Sequence, residues 1–168
     1  MSISRIGAIF LRHLYLYRRS FVRIMEIFYW PLLDLLVWGF VSIYVSGLAS
    51  GGKDINFAAV FLGALILWDI LFRSQQGISV SFLEEVWSRN FINLFVSPLG
   101  VGEYLTALML VSLFKVVIVL VVSSVLAYLI YSFNLFVIGM YLIPFVINLI
   151  ILGWSVGIIT TALIMRFG

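Results

Sequence analysis

Apolar residues recur along the first 28 positions with the spacing of one helix face: Ile3, Ile6, Phe10, Leu14, Tyr17, Phe21, Ile24 and Phe28. Arg5, Arg12, Arg19 and Arg23 fall on the opposite side, with Glu26 beside them. An apolar face set against a basic one predicts a helix over residues 1–26 lying in the lipid headgroup layer, its arginines near phosphates. Beyond it the pattern gives way to long apolar runs at about 27–47, 57–77, 104–130 and 135–165, each long enough to cross a bilayer as a helix. The first, "IFYWPLLDLLVWGFVSIYVSG", would extend about 31 Å at the helical rise. Pro31 is placed for the bend from the lying helix into this span, and Pro144 for a kink in the fourth. The last two runs exceed the minimum for a span, so tilt or bending is expected of them.

The stretch between the second and third runs has a different texture. "SFLEEVWSRNFINLFVSPLGVGEYL", Ser81 to Leu105, sets Leu83, Trp87, Phe91 and Leu94 on one stripe and Glu84, Glu85, Ser88, Arg89 and Asn93 on the other. This predicts a short amphipathic helix over 81–97, with Glu85 and Arg89 as an i,i+4 ion pair, acid first. Pro98 disfavours helix at Ser97 and ends the element. Gly100 and Gly102 let the chain turn, and Glu103 stands where a helix N-terminus favours an acid. On pattern alone the element is either a solvated linker or a helix that a partner grips.

Composition settles the class. The chain of 168 residues is 64% apolar and 10% charged, against about 25% charged in soluble domains. It reads as all-α, a polytopic membrane helix bundle with an interfacial N-terminal helix. With no cysteine there is no disulfide framework, Cys-based metal site or thiol nucleophile. Arg5, Arg12, Arg18, Arg19 and Arg23 precede any acid; Arg89 lies in the 78–103 loop, Arg166 follows the last span, and the opposite loops hold only Lys53. The positive-inside rule then puts the N-terminus, the 78–103 loop and the C-terminus in the cytosol. The basic N-terminus fits membrane lipids rather than nucleic acid. It is too long, and its apolar run too extended, for a secretory signal peptide.

Asp34, Asp69, Arg73 and Lys115 fall within or near spans, where a charge costs about 2.5–3.5 kcal/mol on insertion scales and needs a partner. Asp69 and Arg73 are one turn apart and expected to neutralise each other. Asp34 and Lys115 have no partner in their own helices; either they pair across spans one and three, or one of them lines a polar path. No catalytic, metal-binding or cofactor-binding residues emerge. His13, the single histidine, has no acid or nucleophile near it in sequence, and no P-loop is present for ATP.

The order of these features resembles the permease subunit of type-2 ABC transporters, which are mostly exporters. The resemblance lies in the basic amphipathic N-terminus, the Pro-containing first span "FYWPLLDLLVWGF", and the segment "FLEEVWSRNFINLFVSPLGVGEYL", most specifically Glu84-Glu85 and Ser97-Pro98-Leu99. The family's frequent Gly-Thr pair after the acids is replaced here by "VWSRN". The resemblance implies that the 81–97 element is a cytosolic coupling helix, with Glu84, Glu85, Trp87, Arg89 and Phe91 as contact positions for an ABC ATP-binding subunit. It implies that ATP and Mg are bound by that separate chain and that this one is not an enzyme. It also implies a homo- or heterodimer with another permease chain, and a prokaryotic plasma (inner) membrane. The family has six spans, so the chain is expected to lack the last two. Two other readings stand beside this one: a secondary transporter using Asp34, Asp69 or Lys115 as proton or ion sites, and a membrane scaffold.

Overall fold

The computed structural model describes residues 2–48 and 57–167, apart from the side chains of Phe57, Ala58, Phe91, Phe95 and Ile138. Among these residues the structure is helical throughout, with no strand. Helix α1 is Ile3–Arg19, α2 Phe21–Leu48, α3 Phe57–Trp87, α4 Phe91–Val96, α5 Val101–Tyr131 and α6 Leu142–Phe167, the last preceded by a 3-10 segment, Leu135–Tyr141. Three helical stretches among the described residues are long and apolar enough to cross a membrane: Phe21–Leu48, Val101–Tyr131 and Gly139–Phe167. The fourth expected span, 57–77, is the first part of α3, which also carries Asp69, Arg73, Glu84 and Glu85. Lys53 lies outside the described residues.

The bend between the first two helices falls at Ser20, not at Pro31. Ser20 is extended (φ −113°, ψ 103°), and serine is a favoured residue just before a helix because its hydroxyl competes for backbone donors. The first helix therefore ends at Arg19, and α2 begins at Phe21. Pro31 is buried inside α2 without ending it. Pro144 likewise makes no mid-span kink. It sits in the first turn of α6, where the missing N–H costs nothing. The break comes earlier, at Gly139 (φ 68°, ψ −143°), a left-handed conformation open to glycine without a Cβ clash.

Helix α3 is the axis of the packing. It contributes to three apolar layers stacked along the bundle: Ile78 and Phe82 with Ile9, Tyr104, Ala107 and Leu108; Ile70 with Val116 and Ile150; Leu62 and Ile66 with Leu35, Ala127, Leu135 and Leu142. Its middle, "RSQQGISVS", spans the boundary where the sequence ends the second apolar run and is rich in polar residues, serine and glycine among them. Buried against α5 and α6, the small residues let helices approach closely. The Ser74, Ser79 and Ser81 side chains are buried, and a Cβ on Gly77 would overlap Ser112 of α5. On the other side, a Cβ on Gly153 of α6 would lie 2.8 Å from the Leu71 carbonyl oxygen, and one on Gly157 2.9 Å from that of Gln75. Helices in lipid gain stability from this backbone-to-backbone contact, since apolar burial alone does not favour helix over lipid. A polar relay fixes the depth of the three. Trp154 Nε1 donates to Ser112 Oγ (3.1 Å), and Ser112 Oγ donates to the Ser74 carbonyl (2.9 Å).

Candidate functional site

The start of α1, the end of α3, the start of α5 and the end of α6 gather at one end of the bundle. Four observations fix this. Arg5 donates to the Pro98 carbonyl, Ser2 N donates to Glu103 (2.6 Å), Phe82 packs with Ile9 and Tyr104, and Met165 shares a cavity with Phe82 and Leu94.

The predicted 81–97 helix is two pieces here. Helix α3 runs on through Trp87, and the chain turns at Ser88–Asn90 before α4 starts at Phe91. Arg89 adopts φ 53° at this corner. This left-handed conformation ends the helix as glycine usually does, and the Ser88, Arg89 and Asn90 amides are satisfied by the Glu84, Val86 and Glu85 carbonyls.

The acids of this corner are held by the N-terminal helices. Glu85 is 2% exposed and receives Arg12 at 2.9 Å and Asn90 Nδ2 at 2.8 Å. Glu84 pairs with Arg23 at 3.2 Å. Glu103 accepts from Gly100 N at 3.1 Å, closing the first turn of α5, and lies 3.5 Å from Arg5. Three arginines read as facing lipid phosphates thus meet carboxylates distant in the chain. The expected Glu85–Arg89 pair is not formed, because Glu85 points into the bundle while the left-handed corner keeps Arg89 exposed. Trp87 is 72% exposed. The backbone of Phe91 opens α4, and its side chain lies outside the described residues.

His13 belongs to the same cluster, which its isolation in sequence does not reveal. It is 1% exposed, neither ring nitrogen has a hydrogen-bond partner among the described residues, and Nε2 lies 3.9 Å from Glu85. Burial pushes its pKa down to about 4, with Glu85 pulling the other way. The imidazole is therefore neutral near pH 7, and Arg12 is the cation that balances Glu85.

Towards the middle of the bundle the charges sort into two groups. Lys115 shares a cavity of about 70 Å³ with Arg23, Glu26, Arg73, Gln76 and Glu84. Its ammonium sits 4.7 Å from the centre of the Tyr17 ring and 3.5 Å from Ser81 Oγ. Burial raises the Tyr17 pKa, so its ring stays neutral beneath the cation. Asp69 and Arg73 form the expected one-turn pair at 3.2 Å. Asp34 makes no ion pair with Lys115. It lies instead on the Asp69 side, in a recess lined also by Trp38, Phe61, Leu65 and Trp68. Lys115 thus shares its cavity with Arg73, and Asp34 shares the recess with Asp69.

No family model, curated protein or solved structure matches this chain.

Proposed function

We propose that the chain is the membrane-spanning permease subunit of an ATP-binding-cassette exporter. In this reading α3 crosses the bilayer with α2, α5 and α6, and the arginine-rich end faces the cytosol. A separate ATPase subunit grips the corner from Glu84 to Phe91, and a second permease chain completes the translocation path. The chain itself moves substrate by alternating access and hydrolyses nothing. Helix α1 would lie in the headgroup layer, and its exposed Leu11 and Tyr15 beside Arg18 and Arg19 suit that boundary.

The observation that carries the proposal is mechanical. The corner is fastened to the bundle by Arg12 and Arg23, and the start of α5 by Arg5, yet Trp87 of the corner and Ile92 and Val96 of α4 face the outside. Exposed apolar side chains among charged ones are the composition that a partner surface covers. The corner is also the end of one continuous helix. A push on Trp87 is transmitted along α3 to Asp69, about 27 Å away at the helical rise.

A photocrosslinking residue at position 87 or 92, in native membranes, should capture a chain with nucleotide-hydrolysing activity. Labelling of these positions only from the external face, or capture of no such chain, overturns the proposal. The carboxylates of the recess favour a second reading, an ion-coupled transporter; transport sustained by a pH gradient without ATP would select it.

A further inference from the structure

Asp34 is the fourteenth residue of α2 and Asp69 the thirteenth of α3, so both carboxylates stand near mid-helix, about 20 Å from the helix ends that begin them. Asp34 is exposed on the bundle surface and has no ion pair or hydrogen bond among the described residues. Asp69 is 8% exposed. Arg73 engages its Oδ1, while its buried Oδ2 has no hydrogen-bond partner among the described residues. Of the two carboxylates lining the recess only Asp69 has a cation partner, which leaves Asp34 without one where a bilayer would make a charge costly. The rest of the recess, about 260 Å³, is ring and aliphatic surface: Trp38, Phe61, Leu65 and Trp68. The Trp38 and Phe61 rings stand 6.0 Å apart at 57°, as two walls meeting at a corner.

We propose that this recess is a binding site for an organic cation, a quaternary or alkylated ammonium. The chemistry of the lining selects that class. The faces of aromatic rings, tryptophan above all, attract cations that shed little water, and carboxylates supply the balancing charge. A hard metal cation such as Ca²⁺ takes six to eight oxygen ligands, about twice what two carboxylates can offer. An anion would face the uncompensated carboxylate. A neutral apolar molecule would leave Asp69 Oδ2 and Asp34 unmet. The site is a property of α2 and α3 alone, so it stands apart from whether an ATPase drives the chain.

The test is equilibrium dialysis of radiolabelled benzyltrimethylammonium against the full chain in an uncharged maltoside detergent, with the neutral isostere neopentylbenzene as competitor. Saturable binding is expected, without displacement by the isostere. Asp34→Asn and Trp68→Leu should each weaken it about tenfold or more, and Trp68→Phe, which keeps a ring, should weaken it less. Both side chains are exposed, so these variants are expected to elute as the parent does in size exclusion. Absence of saturable uptake overturns the site. So does binding undiminished in Asp34→Asn, which would mean a merely apolar recess, or displacement by neopentylbenzene. A binding-competent chain that crosslinks to no ATPase would retire the permease proposal and leave this one standing.

Discussion

Helix α3 is held in two unlike ways. Against α6 the contact is bare backbone: Gly153 and Gly157 bring α6 onto the Leu71 and Gln75 carbonyls, with Ser74 beneath. Against the N-terminal helices the contact is charge: Arg12 on Glu85 and Arg23 on Glu84. The first kind is indifferent to salt and pH and intolerant of any added atom. The second tolerates substitution but answers to pH and ionic strength. The molecule thus has a welded side and a latched side.

Four experiments would break or sharpen that contrast. Gly157→Leu should do the most damage, because the obstructing atoms are backbone and cannot rotate away. A cost of about 3 kcal/mol or more is expected, read as loss of resistance to SDS unfolding; a variant as stable as the parent would mean the helices are not in contact.

Acid acts next, and on the latched side. A folded chain that keeps His13 neutral down to about pH 4 binds fewer protons than the unfolded chain, whose imidazole titrates near 6.5. This contribution is complete above pH 6.5 and declines as the pH falls through 6.5 towards 4, by about 2–3 kcal/mol at the lower limit. His13→Phe should flatten that part of the pH profile of unfolding.

Glu85→Ala removes a buried carboxylate and strands Asn90 and part of Arg12. Because Arg12 is partly open to solvent, the expected loss is about 2 kcal/mol, most visible as faster proteolysis of α1. Arg23→Gln should be the mildest. The Arg23–Glu84 pair is about 30% and 26% exposed, so its worth is under about 1 kcal/mol and should fade in molar salt. An effect as large as that of Glu85→Ala would show that the two pairs act as one unit.

The helical class and three apolar helices, expected at about 27–47, 104–130 and 135–165 and found at 21–48, 101–131 and 139–167, could be read from the chain because such long apolar runs suit membrane-crossing helices. The Asp69–Arg73 pair could be read because both residues lie on one helix, one turn apart. Two features could not. The continuity of α3 is one: the sequence ends the second run at 77 and starts a separate helix at 81, and only the neighbouring helices turn the small residues around that boundary into a packing surface. The partners of Glu84, Glu85 and Glu103 lie 61, 73 and 98 residues away, and a chain read locally offers the nearer Arg89. The inward turn of His13 was hidden for the same reason. Its nearest charged partner across the fold, Glu85, is 72 residues distant.

Tyr131 adds a last element. Its hydroxyl donates to the Leu35 carbonyl at 2.9 Å, and its ring covers Gly39 so closely that no side chain fits beneath. This pins α2 at one level, while nearer its start the helix is tied to α3 by the partly buried Arg23–Glu84 pair. The two holds on α2 differ in kind. Conditions that free Arg23 from Glu84 act on an ion pair and leave the neutral bond from the Tyr131 hydroxyl to the Leu35 carbonyl in place.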